Sequence, residues 1–431
     1  MKRKLIIGER IMYGDGNTPL NSCFTARIRG TVFPENLRHA LSRIQAKHPL
    51  LSAGVVTDKK GHPWFTTNEQ ITGIPVRKVS RHSDNDWQRE SMQEWATPFD
   101  MQNGPLCRVV WIQSPEVSEL ILVCHHCICD GGSVATILQE LLALLDQPDL
   151  PMEPYLAFND IHELIPAPFL ENKQLRQKGR KSRVLAWLTL SVVLLGKKQP
   201  PKGRDYLLHW KLSKAQSAAF VSRCKTEGTT VHAALSVALL RAFKQVKGEQ
   251  AKNKIISPVD IRRFITAIRP DHLFAYAPTV DLSLSEDAPA SAKGFWVQAY
   301  KLKDDLAEKI AEVNVFIQLM IGEYVHSSAK KLVKLLKVTN GNHDVTFSNM
   351  GRLNVQEHYQ TFQVETIMSP TVAFPWRNPN TIVTTTFRGQ MDFVFMSNEN
   401  FLPEAEAVAI KEAAMALVLA EAEVEIIHDI Y

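Results

Sequence analysis

A buried strand and a helix meet at the stretch Cys124-His125-His126-Cys127-Ile128-Cys129-Asp130-Gly131-Gly132. The four residues before it, Leu120 to Val123, form a continuous apolar run of the kind found in buried strands. After it, apolar side chains recur at three- and four-residue spacing from 134 to 145, which predicts a helix. The stretch therefore places two histidines at a strand end, where side chains are held rigidly and the following loop is open to a ligand.

The two histidines are expected to have different surroundings, because adjacent side chains on a strand point to opposite faces. Only one of His125 and His126 can therefore face a given cavity. Asp130 precedes the predicted helix, so its carboxylate can cap that helix or pair with a cation distant in sequence. The two roles of Asp130 are compatible, and the sequence leaves both open.

Composition indicates a globular protein of more than one domain. The chain has 431 residues, of which 45% are hydrophobic and 22% charged, which is too long for one typical domain. The basic first residues are followed by an apolar run that is too short for a signal peptide. No apolar run in the sequence reaches the ~18 residues of a membrane-spanning helix. Six cysteines show no paired framework. We therefore expect reduced thiols in a cytoplasmic protein.

One basic segment accounts for the whole positive net charge of the chain. Residues 173–204 contain ten Lys or Arg and no Asp or Glu, in a chain whose formal net charge is +5. Aromatic residues are not interleaved with these cations, so nucleic acid is not an expected partner. At the centre of the segment, Val184 to Leu195 carry no charge. As a helix this run would be about 18 Å long, short of the ~30 Å hydrocarbon core of a bilayer.

Two interpretations of this apolar run remain open. The first is a crossover helix buried against the first domain, which we favour because the run is apolar all round. The second is peripheral membrane contact through residues 173–204, with Trp187 at headgroup depth and the cations on anionic lipid. A membrane-associated location is thus the alternative to a plainly cytoplasmic one.

The sequence pattern His-His-x-x-x-Asp-Gly at residues 125–131 resembles the active-site motif of the chloramphenicol acetyltransferase-like acyltransferase superfamily. That group includes peptide-synthetase condensation domains, polyketide-associated acyltransferases, wax ester synthases and alcohol O-acetyltransferases. Residues 47–52 resemble its Arg-His-x-x-Leu-Arg motif, with Lys47 and Ser52 in place of the arginines, and 99–106 resemble its next signature. Residues 348–351 resemble the Ser-Asn-x-Gly element of standalone alcohol acyltransferases. The plant-type Asp-Phe-Gly-Trp-Gly motif is missing from the sequence.

The resemblance implies an α/β fold of two chloramphenicol acetyltransferase-like subdomains. They would form a V-shaped pseudo-dimer around a central active-site tunnel, which donor and acceptor enter from opposite faces. We place the N-terminal subdomain at 1–150, the crossover at 151–205 and the C-terminal subdomain at 206–431.

The same resemblance assigns roles within the motif. His126 would be the general base, since the unperturbed pKa of histidine near 6.5 suits proton abstraction. His125 would support it. Asp130 would be structural and pair with an arginine, for which Arg262 is the best match and Arg263 the fallback.

Three further residues are expected to contact substrate. Gly131 would permit a tight turn and close substrate approach. Ser348 and Asn349 would stabilise the oxyanion or contact the acceptor.

The expected function is acyl transfer from a coenzyme A or carrier-protein thioester to a small-molecule alcohol, with no metal or cofactor. One alternative is a freestanding condensation enzyme that acylates an amine, although the altered motif at 47–52 weakens it. Another is a degenerate, non-catalytic binding protein, against which the intact motif argues. Zinc is a rival explanation for the cysteines and histidines at 124–130, but structural zinc sites usually need two separated ligand pairs.

Overall fold

The computed structural model describes residues 1–67, 70–201, 203–284 and 292–422. Within these ranges the chain forms fourteen β-strands. They are β1 (Lys2–Lys4), β2 (Asn21–Gly30), β3 (Ala53–Thr57), β4 (Pro63–Thr67), β5 (Val76–Ser80), β6 (Cys107–Gln113), β7 (Val117–His125), β8 (Asp205–Lys211), β9 (Lys254–Pro258), β10 (Thr279–Ser283), β11 (Val345–Arg352), β12 (Phe362–Val372), β13 (Thr381–Phe387) and β14 (Gln390–Asn398). The end of the predicted C-terminal subdomain, after 422, lies outside the described residues.

Twelve α-helices accompany the strands in the described part of the chain. They are α1 (Ile7–Tyr13), α2 (Pro34–Lys47), α3 (Asp86–Ala96), α4 (Gly131–Asp146), α5 (Ala167–Glu171), α6 (Lys173–Val193), α7 (Lys214–Thr226), α8 (Val231–Lys247), α9 (Ala292–Glu312), α10 (Val315–Val325), α11 (Ala329–Val338) and α12 (Glu404–Glu421). Strands and helices alternate in both halves, so the predicted α/β class is confirmed.

Two large sheets define two subdomains. The first has the strand order β12-β2-β7-β6-β5, and the second has the order β10-β9-β11-β13-β14-β8. Each sheet has its own apolar core, covered by α2 and α4 in the first subdomain and by α7, α8, α9 and α12 in the second. The predicted pair of subdomains is confirmed, while the boundaries at 150 and 206 stay predictions.

Strand β12 joins the subdomains in a way that the sequence did not indicate. It belongs to the C-terminal half of the chain, yet it pairs antiparallel with β2 at the edge of the first sheet. It also packs against β13 and β14 of the second sheet. Within this joint the Ser369 backbone amide donates a 2.6 Å hydrogen bond to Asp392.

The strand that carries the histidines has both faces covered. Leu120, Leu122 and Cys124 point into the core of the first subdomain, whereas Ile121 and Val123 belong to an apolar cluster shared with β8, β12, β13 and β14. Because successive side chains alternate, β7 is buried at every position. The end of β7 is therefore fixed between the two subdomains.

Local sequence signals explain several boundaries. Helix α2 ends at Lys47, because Pro49 disfavours helical backbone at His48, whose φ and ψ are −105° and 103°. Helix α7 begins with a capping box between Ser213 and Gln216. The hairpin of β13 and β14 turns at Arg388 and Gly389, both with positive φ.

The crossover contains a helix that is not buried as we favoured. The inner side of α6 packs against α10 and α11, but Trp187 is 51% and Leu188 50% exposed. The predicted burial against the first domain is therefore wrong, because α6 packs against two helices of the C-terminal half and leaves its outer face at the surface. None of the described helices is long and apolar enough to cross a bilayer.

Candidate active site

The two motif histidines have different environments. His125 is the last residue of β7 and is 2% exposed. His126 lies in the following turn, is partly exposed, and donates its backbone N–H to the Leu20 carbonyl at 2.7 Å. The end of β7 thus separates a buried imidazole from an accessible one.

The ring of His125 is a packed interior group. It lies edge-on to Phe99 with ring centroids 6.2 Å apart, and its Nδ1 accepts a 3.2 Å hydrogen bond from the Cys127 backbone amide. Burial, together with the nearby His126 and Arg108, lowers the pKa of His125 to about 3. A neutral, enclosed imidazole fits the supporting role predicted for it.

The ring of His126 lies where it can meet a ligand. It packs against Phe374 with centroids 5.7 Å apart. Its Nδ1 is buried and has no partner at full hydrogen-bond geometry among the described residues. Burial lowers the pKa of His126, and backbone groups close to the ring together with the charge of Asp130 oppose this shift. The imidazole is therefore neutral at pH 7, as a general base must be.

Asp130 combines the two roles that the sequence left open. Its Oδ1 accepts from the Ser133 backbone amide at 2.8 Å, which caps α4. The guanidinium of Arg262 donates to both carboxylate oxygens, Nη1 to Oδ2 at 2.8 Å and Nη2 to Oδ1 at 2.9 Å. The bidentate pair joins the first subdomain to the segment after β9 in the second.

Arg262 is held from several sides. Its Nη2 also donates to the Ser133 hydroxyl at 2.8 Å and to the His272 carbonyl at 3.1 Å. The guanidinium carbon lies 4.2 Å from the centroid of Phe274. Arg263, the fallback, instead lines a cavity next to Asp260. Arg262 is thus the arginine that reaches the motif.

Steric crowding calls for a glycine at position 132, one residue after the glycine that the sequence analysis singled out. The φ angle of Gly131 is outside the left-handed region, and a Cβ there would meet Met350 at an ordinary 3.5 Å. A Cβ at Gly132 would lie only 3.0 Å from Arg262 Nη1. Gly131 therefore needs no backbone conformation that only glycine adopts, and its close approach to substrate stays a prediction.

Ser348 and Asn349 lie on β11, near the start of α4. Asn349 is followed by Met350, the residue nearest to Gly131, and its side-chain oxygen accepts from the Gly351 amide at 2.8 Å. Asn349 also lines a cavity of about 210 Å³ together with His232 and Ser257. Ser348 is partly buried on the same strand.

A second cavity is lined by Phe374, the residue that packs against His126. It measures about 100 Å³ and extends along Trp376, Lys337 and Asp205. Phe374, which lines this cavity, packs against His126, whereas Asn349, which lines the other, precedes Met350, whose side chain lies 3.5 Å from a Cβ placed at Gly131. The central tunnel itself stays a prediction.

The altered motif at 47–52 has a structural role. Lys47 pairs with Glu140 of α4 at 2.6 Å and with Asp271 at 2.8 Å. The buried His48 places Nε2 2.6 Å from Glu140 and Nδ1 3.1 Å from the Tyr155 hydroxyl. Because Lys47 still makes two ion pairs, its replacement of an arginine says less about the acceptor than the sequence suggested.

The cysteines around the motif are free and buried, as are the other cysteines of the chain. Cys124 and Cys107 sulfurs lie 3.5 Å apart across β7 and β6. Burial contributes to raising the pKa of the Cys127 thiol, which keeps it protonated. Within the described ranges, no three His, Cys, Asp or Glu side chains are arranged to hold a metal ion.

Two residues of the site were missed by the sequence analysis. Ser133 is fully buried and bonds Asp130, Arg262 and the Phe274 backbone. Its position three residues after a capping aspartate was a usable signal. Phe374 contacts His126 from a loop after β12, and no local sequence pattern marks it.

Comparison with known proteins identifies the family. Residues 12–251 match the condensation domain family, which is more than half of the chain. The chain belongs to this family. The predicted resemblance to chloramphenicol acetyltransferase-like acyltransferases is thereby confirmed.

Curated relatives of this condensation-family protein are large synthetases. Bacitracin synthase 2 of Bacillus licheniformis is 25% identical over 166 residues, which are 38% of this chain and 6% of the synthase. Nonribosomal peptide synthetase 5 of Gibberella zeae is 30% identical over 138 residues, 31% of this chain and 1% of the synthetase. The chain therefore spans only a small part of these relatives.

Solved structures share the fold along nearly the whole chain. Trichothecene 15-O-acetyltransferase TRI3 from Fusarium sporotrichioides is 16% identical with a TM-score of 0.72, covering 97% of this chain and 95% of that one. Polyketide synthase associated protein 5 from Mycobacterium tuberculosis is 14% identical with a TM-score of 0.64, covering 98% of each chain. The first condensation domain of the calcium-dependent antibiotic synthetase is 15% identical with a TM-score of 0.67, covering 98% and 97%.

Proposed function

We propose that the protein transfers an acyl group from a coenzyme A or carrier-protein thioester to the hydroxyl of a small molecule, with His126 as general base. The observation that carries the proposal is the state of His126. Its imidazole is partly exposed, has a lowered pKa, and follows a buried strand fixed between two subdomains. Membership of the condensation domain family supports acyl transfer as the reaction class.

The chemistry needs one proton acceptor and no redox partner. The His126 imidazole takes the proton of the acceptor hydroxyl as its oxygen attacks the thioester carbonyl carbon. The tetrahedral intermediate then collapses, the C–S bond breaks, and the proton passes to the departing sulfur. The products are an ester and a free thiol. General-base help of this kind is worth about 10²–10⁴ in rate.

Asn349 and Ser348 are proposed to act on the oxyanion or on the acceptor. Asn349 lines a cavity, and its neighbour Met350 is the residue nearest to Gly131. Loss of one oxyanion donor typically costs about 10²–10³ in turnover. Asp130 and Arg262 act through position: their bidentate pair fixes the start of α4, and with it the turn that carries His126.

Amide formation is the second candidate, and a specific observation favours it. One of the curated relatives is named a nonribosomal peptide synthetase, and a peptide bond is an amide. The alcohol is preferred because residues 348–351 match the alcohol acyltransferase element. The structural likeness to the trichothecene O-acetyltransferase agrees with this preference at the level of fold.

The test is a matched panel of alcohol and amine acceptors, each offered with acyl-coenzyme A and with acyl-carrier protein. Thiol release is followed by absorbance, and products are identified by mass spectrometry. We expect esters as the main products. Exclusive amides would overturn the alcohol assignment, and no thiol release from any donor would favour the non-catalytic alternative.

The base assignment is tested by His126→Ala in the same assay. We expect turnover to fall by about 10²–10⁴ with the fold retained. The matched control is His358→Ala, since His358 is 72% exposed and far in sequence from the motif. A His126→Ala protein that kept more than about a tenth of wild-type turnover would contradict the base role.

A further inference from the structure

The crossover helix α6 has two apolar faces, and only one has a partner. The inner face, which includes Gly179 and Leu194, is buried. A Cβ at Gly179 would lie 2.2 Å from the ring of Tyr324, so α6 and α10 are in close contact there. The spacing of the covered positions, three or four residues, is that of one helix side. This packing fixes α6 along the protein surface.

The outer face of α6 and the residues just after it are apolar and exposed. Its exposed side chains range from 38% at Val193 to 75% at Leu195. The set is Val184, Leu185, Trp187, Leu188, Val192, Val193 and Leu195. We call these seven residues the apolar strip. Contiguous exposed apolar surface of this kind marks an interaction site.

Cations surround the apolar strip. Lys181 and Arg183 precede it and Lys197 and Lys198 follow it, and all four are exposed. The segment 173–204 contains no Asp or Glu. Lys202 of this segment lies outside the described residues.

The neighbouring helix α11 adds to this positive surface. It carries four lysines and no acidic residue, and Lys331 Nζ lies 4.1 Å from the centroid of the Trp187 ring. Lys337 is paired with Asp15 at 2.7 Å, whereas Lys330 and Lys334 are exposed. On α10, Glu323 is paired with Lys4 at 2.9 Å. The face around the strip therefore has a net positive charge.

We propose that the apolar strip docks this protein on the surface of an anionic lipid bilayer. A helix that lies along a protein surface, apolar outward and flanked by Lys and Arg, has the properties of an interfacial helix. The half-exposed Trp187, with a lysine over its ring, suits the boundary between acyl chains and headgroups. The cations on both sides then meet lipid phosphates and carboxylates.

The positive charge of residues 173–204 argues against a second copy of this chain as the partner that covers the apolar strip. Two strips in contact would bring the Lys and Arg of both copies together, with no acidic residue in 173–204 to offset them. Anionic lipid supplies the missing negative charge. The proposal concerns binding and stands independently of the proposed acyl transfer.

The test is co-sedimentation of the full-length protein with vesicles of phosphatidylcholine alone or mixed with phosphatidylserine. We expect binding to the anionic vesicles at about 50 mM salt and a loss of about tenfold or more near 500 mM, because salt screens the cations. Leu188→Glu/Val192→Glu should reduce binding about tenfold or more, since it places two charges in the interface. His126→Ala should bind as the wild type does.

The matched control is Leu156→Glu/Val297→Glu. Leu156 is 93% and Val297 44% exposed, so this variant makes the same chemical change at exposed apolar residues that do not belong to α6. It should retain binding, and both variants should keep a native circular dichroism spectrum. The proposal is overturned if the wild type does not bind anionic vesicles at low salt, or if both double variants bind equally. It is also overturned if sedimentation velocity shows a dimer that Leu188→Glu/Val192→Glu dissociates.

Discussion

The pair between Asp130 and Arg262 offers a quantitative test of how the two subdomains hold the motif. Their side chains are 11% and 8% exposed, and two charge-assisted hydrogen bonds of 2.8 and 2.9 Å join them. Removing Arg262 leaves the Asp130 charge buried, which costs about 3–5 kcal/mol. Removing the charge of Asp130 costs less, because Arg262 keeps the largely exposed Asp260 at 3.2 Å. Asp130→Asn is the informative change, because Asn still caps a helix and only the charge is lost.

Arg262→Gln should cost at least as much free energy of unfolding as Asp130→Asn. The guanidinium also donates to Ser133 and to the His272 carbonyl, and these acceptors lose a partner as well. The double variant removes both charges, so it should cost less than the sum of the single changes. We expect a coupling energy of about 2 kcal/mol or more.

Urea unfolding followed by circular dichroism measures the four free energies of the cycle. The control is the pair of Lys244 and Glu249, which are joined by one contact of 2.7 Å and are 53% and 96% exposed. Its cycle should show coupling near zero. Additivity of Asp130→Asn and Arg262→Gln within about 0.5 kcal/mol would refute the reasoning, because it would mean that the charges do not interact.

Three further outcomes follow from the site. Burial lowers the pKa of His126, and a general base must be unprotonated to act. We therefore expect kcat/KM to fall with decreasing pH only below 6.5. A decrease in kcat/KM that begins at or above pH 6.5 would contradict this. His125→Ala should lower the free energy of unfolding by about 2–4 kcal/mol through a cavity and a lost hydrogen bond, measured by urea unfolding, and an unchanged midpoint would count against its packed role. Gly132→Ala should lower the free energy of unfolding by about 1–3 kcal/mol, because the new Cβ crowds Arg262. Gly131→Ala should fold normally. Equal stability of the two variants would show that Arg262 moves aside freely.

Much of the fold was predictable because local signals agreed with tertiary packing. The apolar run before His125 and the helical spacing after Asp130 gave β7 and α4. Pro49 ended α2, and Ser213 began α7 through a capping box. Such signals are local, since they depend on φ and ψ and on hydrogen bonds within a few residues.

The candidate site was predictable only where a motif marked it. The resemblance supplied His126, Asp130 and Arg262, and the structure places the last two in a bidentate pair. It did not indicate the crowding at Gly132, because that crowding comes from an arginine distant in sequence. Phe374 had no signal, since its contact with His126 depends on how β12 crosses between the sheets.

The sequence by itself determined the strand and the helix on either side of the motif, because periodicity and capping are encoded within single elements. The α/β fold and the two-subdomain plan followed from the resemblance of the motif to a known family. It also determined that 173–204 is basic with an apolar centre. Only the tertiary structure decided which side of that centre is covered. An all-apolar run has no pattern that distinguishes an inner face from an outer one. The contacts of α6 with α10 and α11 therefore determine which side chains are buried.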